Sequence, residues 1–213
     1  MSSDDWFRRT TWTDDDRIDF SDRLQRARKF NRPQYLRIQA SHLAGAGNHV
    51  AALELLDQFF HIDDGGIDLA QAQLQRAESL LATGSDFKAI SAFRASLDAE
   101  RKRPNVQTEA WLLFPWFIVE TQNVELYAEA GDILSEFEKH RSLTIPISVY
   151  RLHCVKAILL ANDGDHPQAR VHAEKALAAS VETHSGFRYH AGLGLVRDTS
   201  STVHERVCQI AAK

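Results

Sequence analysis

Residues 40–52 read ASHLAGAGNHVAA, residues 77–89 read AESLLATGSDFKA, and residues 157–169 read AILLANDGDHPQA. Aligned on Gly47, Gly84 and Gly164, the three stretches share one skeleton, A-x2-L-x3-G-x4-A. Its members are Ala40, Leu43, Gly47 and Ala52, then Ala77, Leu80, Gly84 and Ala89, then Ala157, Leu160, Gly164 and Ala169. The alanine and leucine before each glycine are three residues apart, so they lie on one helical face. Small residues on both sides of the turn let two antiparallel helices approach closely. The glycine supplies the backbone freedom that ends the first helix. The skeleton therefore predicts a helical hairpin, repeated three times.

Gly47 and Gly84 are 37 residues apart, and Gly84 and Gly164 are 80 apart, which leaves room for one more unit between them. That unit is expected around Trp111, with its turn at Thr121-Gln122-Asn123 and a kink or local break at Pro115. Larger residues follow the turns at Leu56 and Phe93, with Ala173 in the last copy. Upstream, Thr13-Asp14-Asp15-Asp16 reads as a capped helix start, with Phe20, Leu24 and Ala27 on one face and an end near residues 30–33. His61–Asp68 reads as a polar linker and Pro104-Asn105 as a boundary between units. Thr144 and Pro146 open another helix, and Asp165-His166-Pro167 begins the one after Gly164. Residues 183–201 lose the helical pattern and are expected to fold back as a cap before a short helix over 202–211.

These segments resemble tetratricopeptide repeats (TPRs), helix–turn–helix units of about 34 residues. The matching residues are Leu36, Ala40, Leu43, Gly47, Ala52 and Leu56, then Ala77, Leu80, Gly84, Ala89 and Phe93, then Ala157, Leu160, Gly164, Asp165, Ala169 and Ala176. The spacing is irregular, and Phe59 stands where the family has a small residue. The ends, WFRRTTWT and SGFRYH…GLGLV, resemble those of uncharacterised bacterial TPR-like proteins. The expected fold class is all-α: a TPR-like α-solenoid of about four hairpins in a single domain over 1–213. Residues 1–32 form its N-terminal segment and helix, 33–180 the repeats, and 181–213 the C-terminal cap.

Composition agrees. The chain has 213 residues, of which 27 are alanine and 22 leucine, both strong helix formers. Its net charge is −4, and the basic run from Arg23 to Arg37 follows an acidic one from Asp14 to Asp22. Solvated helix faces, rather than a nucleic-acid stripe, are the reading of that pattern. The longest apolar run, residues 110–119, is ten residues with a proline inside, short of the roughly 20 a membrane span needs. The N-terminus lacks the apolar stretch of a signal peptide, and the two cysteines, Cys154 and Cys208, form no framework. A cytoplasmic protein that contacts neither membrane nor nucleic acid is expected.

Chemistry-bearing residues do not assemble into a motif. Seven of the ten histidines lie at or beyond His140, but His166 and His172 are six apart and His204 pairs only with Cys208. No metal or cofactor site follows. Cys154 beside His153, and Ser185 beside His184, lack an orienting acid, so no catalytic residue is assigned. GLGLV at 192–196 lacks the third glycine of a dinucleotide loop, and Asp63, Asp64 and Asp68 lack calcium-loop spacing. Trp6, Phe7 and Trp12 around Arg8 and Arg9 are expected to pack over the first hairpin, with a partner contact as the alternative.

The resemblance implies a concave face lined by the first helix of each unit, which in the family holds a protein or peptide partner. Carried onto this chain, its positions are Gln34, Arg37 and Ser41, then Gln71, Leu74 and Glu78, then Glu109, Leu112 and Trp116, then Arg151, Cys154 and Ile158. The expectation is a non-catalytic scaffold or adaptor for a protein or peptide partner. The alternative is an immunity or antitoxin-like protein that occludes a basic toxin, which the acidic balance suits. A His-dependent enzyme ranks last.

Overall fold

The computed structural model describes residues 5–62, 65–141 and 143–212. Among them the chain forms ten α-helices and no strand. Among the described residues no helix is long and apolar enough to cross a membrane. The chain divides into two compact units, residues 1–110 and 111–213.

In the first unit, α1 (Asp14–Arg26) starts as the sequence predicts. Thr13 and Asp16 form a capping box in which each satisfies the other's backbone N–H. The helix stops earlier than expected, at Ala27, whose backbone is extended; a single 3₁₀ turn at Lys29–Asn31 then leads into the next helix. α2 (Arg32–Gly45) packs on α3 (His49–Ile62), and α4 (Leu69–Ala82) packs on α5 (Asp86–Lys102). α3 also lies against α4. The polar linker is shorter than His61–Asp68, because His61 and Ile62 still belong to α3; Asp63 and Asp64 lie outside the described residues.

Both hairpins close by the same physics. Gly47 and Gly84 adopt φ of +83° and +72°. The residue after each glycine donates its N–H to the carbonyl of the skeleton leucine: Asn48 to Leu43 at 2.8 Å and Ser85 to Leu80 at 2.8 Å. This is a Schellman cap, and only a left-handed residue permits it. The skeleton alanines Ala40, Ala52, Ala77 and Ala89 are all fully buried at the helix crossings.

The N-terminal segment packs over the first hairpin. Trp6 sits on Phe20 and Tyr35, Phe7 on Tyr35, and Trp12 on Phe20, with ring centroids 4.7–5.4 Å apart. Buried Gln39 fixes this strap by a two-way bond. Its amide oxygen accepts from the Arg9 backbone N–H at 3.0 Å, and its NH2 donates to the Arg9 carbonyl at 2.8 Å. The Arg9 guanidinium is held by Asp16 and Asp19. Trp6, Phe7 and Trp12 thus pack over the first hairpin, as the sequence predicts, and stay partly exposed.

In the second unit, α6 (Ala110–Glu120, its first residue lying in the first unit) runs through Pro115 without a break. The proline removes one donor, leaving the Trp111 carbonyl without its i+4 bond, yet the flanking turns keep their helical form. Beyond it the predicted turn forms, with Gln122 in the glycine's role at φ +54° and the Asn123 N–H donating to the Ile118 carbonyl at 3.0 Å. α7 (Tyr127–Phe137) follows, then a 3₁₀ turn at Glu138–His140. α8 (Pro146–Asn162) packs on α9 (His166–Ser180), joined at Gly164 with φ +84°, where the Asp165 N–H reaches the Leu160 carbonyl at 2.9 Å. Asp165 also caps α9 through its carboxylate. Thr144 does not cap α8; Ile145 holds the cap position, and the Ile147 N–H is taken by the Gly194 carbonyl. α10 (Thr202–Ala211) forms where the sequence predicts and packs on both α8 and α9 through buried Val203 and Val207.

Candidate functional site

The twelve carried-over positions divide by burial. Leu74, Leu112, Cys154 and Ile158 are buried in the fold, so they contribute to its interior and offer nothing to a partner. The α10 helix explains Cys154: it lies along α8, and Tyr150 Oη is 3.1 Å from His204 Nδ1. The other eight reach the surface to differing degrees. Gln34, Ser41, Glu78 and Glu109 are exposed, whereas Arg37, Gln71, Trp116 and Arg151 are half-buried.

Arg37 is occupied. Its Nε donates to Asp68 at 2.6 Å, which ties α2 to the start of α4. Asp68 holds the cap position of α4, but its carboxylate serves Arg37 instead of the helix end.

Trp116 and Arg151 are brought together in the second unit. The Arg151 guanidinium lies over the Trp116 ring at 5.6 Å, and Trp116 also stacks on Tyr150 at 5.9 Å. Arg151 has no carboxylate partner among the described residues, and its buried Nε has no hydrogen-bond acceptor. A guanidinium stacked on an indole with donors unmet is a recurrent anchor in protein interfaces.

The second unit also holds a cleft of about 460 Å3 between the start of α8, the end of α9 and the turn at 184–186. Pro146, Val149 and Ala178 give it an apolar wall, and His153, Lys175 and His184 face it. Behind it, His153 Nδ1 meets His172 Nδ1 at 2.8 Å across the α8–α9 hairpin. Burial holds both imidazoles below their ordinary range, that of His153 at about 4, and Lys156 and Lys175 add to the effect. The sequence places these two residues nineteen apart with no motif between them. Hairpin arithmetic finds them: they stand eleven before and eight after Gly164, and the equivalent residues about Gly47 are Leu36 and Leu55.

The Cys154–His153 neighbourhood does not form a nucleophile and base. His153 turns to His172, and burial pushes the Cys154 thiol up to about 12, so it stays protonated at neutral pH. Ser185 Oγ donates to the His190 carbonyl at 2.7 Å and accepts from the Phe187 N–H, which fixes the loop rather than freeing a hydroxyl. Among the described residues no three His, Cys, Asp or Glu side chains group to hold a metal ion. GLGLV lies in the loop that carries Gly194, with the Leu193 N–H bonded to the His190 carbonyl in a turn.

Comparison of the chain with protein-family models, with curated proteins and with solved structures finds no match in any of the three.

Proposed function

We propose that the protein is a non-catalytic binding scaffold of the TPR-like kind, whose hairpins stack as an α-solenoid and hold a protein partner on the surface of their first helices. The observation that carries this reading is the Arg151–Trp116 stack. Two positions implied by the resemblance meet in space, both half-exposed, and they combine the two residue types richest in interface anchors. The unmatched guanidinium suits an acidic side chain on the partner. Three hairpins with one skeleton and one type of turn support the repeat architecture. A cytoplasmic setting is part of the same proposal.

The test is a pull-down from native lysate with wild type, Trp116→Ala and Arg151→Gln, each checked for fold by circular dichroism. Both variants are expected to lose the same partner. Equal recovery from folded variants sinks the assignment of this surface. Arg37→Glu is a poor probe, because it places a second carboxylate beside Asp68 and perturbs α4.

A further inference from the structure

We propose that the His153–His172 pair is an acid-sensitive latch between α8 and α9, which holds while at least one ring is neutral and opens when both are protonated.

The geometry sets the rule. At 2.8 Å, one Nδ1 must donate and the other accept. A neutral imidazole has one N–H, so two neutral rings satisfy this with a single proton between them. Protonating one ring keeps the bond, because the neutral ring can carry its N–H on Nε2 and accept at Nδ1; protonating both puts two N–H groups head to head and leaves no lone pair for either. The rings are also close as bodies, with centroids 5.0 Å apart, so two positive charges there would lie in direct contact.

The surroundings add to the penalty. Lys156 on the same helix and Lys175 on α9 both oppose a second positive charge. Glu138, from the 3₁₀ turn after α7, favours it, but Glu138 is already bonded to Lys156 Nζ at 2.5 Å. In the cleft beside His153, Glu182 supplies a negative charge, and His184 accepts the Gly186 N–H through its Nδ1. On the α10 side, His204 is engaged with Tyr150. The lysines that oppose a second proton oppose a bound metal cation equally, so a metal bridge between the rings is disfavoured.

The direction of the pH effect follows from where the protons go. Both groups sit below their ordinary value in the folded chain, so the unfolded chain takes up protons first as pH falls. The stabilisation is complete above about 6.5, the ordinary imidazole value, and is lost progressively toward about 4. The repeat itself supplies a control. At the equivalent positions of the first hairpin stand Leu36 and Leu55, both buried, so this backbone accepts an apolar pair there.

The test compares the full chain, His153→Leu/His172→Leu and His172→Gln by thermal unfolding at neutral pH and near pH 5, together with an NMR titration of the histidine ring protons. For wild type, the unfolding constant is expected to rise on the order of tenfold more over this interval than for the double-leucine variant. His172→Gln keeps a hydrogen-bond partner that never charges, and should fall between the two. In the titration, two rings should move together, below the others. An equal acid loss in wild type and the double variant overturns the latch, as do two rings titrating independently at the ordinary value. Should the double variant not fold, the His172→Gln comparison and the titration decide. Neither readout requires a binding partner.

Discussion

The first and last hairpins share a skeleton and a turn but differ in what they hold beside it. In α2–α3, the positions eleven before and eight after the glycine hold Leu36 and Leu55; in α8–α9 they hold His153 and His172. A third position, eight before the glycine, is polar in each of the three glycine-turned hairpins: Gln39, Arg76 and Lys156. Each of these reaches outward to a neighbouring element. Gln39 clasps the Arg9 backbone, Arg76 pairs with Asp57 at 2.9 Å, and Lys156 pairs with Glu138. The skeleton thus fixes the crossing of the two helices and leaves the flanking positions free to vary. One hairpin uses that freedom to bury two leucines in its apolar core. The other uses it for a proton-dependent contact.

Substitution at the equivalent position gives the largest separation between them. Leu55→Ala leaves a cavity in the first unit and should cost about 3 kcal/mol. His172→Ala removes a single shared hydrogen bond at a half-buried site, and should cost roughly 1 kcal/mol at neutral pH. Urea denaturation followed by circular dichroism measures both. Near pH 5 the second penalty should shrink, because the wild-type pair has itself been weakened, while the first stays constant. Equal penalties at both pH values would mean that the two hairpins are packed alike.

Much of the fold was legible because it depends on local spacing. The three glycines mark three turns of positive φ, and the repeat distance locates the fourth at Gln122 although no glycine is there. The end of α1 was less legible, since Ala27 turns extended within a stretch of good helix formers. The candidate site was harder still. Repeat register says which face of a helix a residue occupies, but not whether another element covers that face. Cys154 shows the difference: its register is that of a groove residue, and α10, from fifty residues further on, lies along its helix. Trp116 and Arg151 are thirty-five residues apart, and their stacking depends on how α6 meets α8. The histidine pair is not legible as a local motif on one helix, because its two members come from opposite sides of a turn.

The turns sharpen the comparison with opposite signs. Gly164→Ala should destabilise the last hairpin by about 1 kcal/mol, because a side chain with a Cβ is strained at φ +84°. No atom lies within 4 Å of the added Cβ, so strain is the only source of the loss. Gln122→Gly should do the reverse and stabilise by up to about 1 kcal/mol, relieving a non-glycine residue held at φ +54°. Thermal unfolding of the two variants checks both signs. A loss on introducing glycine at 122 would show that the Gln122 side chain contributes something that outweighs its backbone strain.

The smallest effect is expected where the two hairpins are alike, on their exposed ion pairs. Arg17 of α1 meets Glu54 of α3 at 2.9 Å, with about half of each side chain in solvent, and Arg170 meets Glu174 on α9 at 3.0 Å with similar exposure. Water screens both pairs, and ordering two long side chains offsets most of the attraction. Glu54→Gln and Glu174→Gln should each fall within about 0.5 kcal/mol of wild type, and 1 M salt should erase even that difference. Chemical denaturation with urea, which leaves ionic strength unchanged, is the appropriate measurement. A loss well above that range in only one hairpin would locate a difference on the surface as well as in the interior. Equal and negligible losses would confine the distinction to the paired positions that flank the shared skeleton, leucine in one hairpin and histidine in the other.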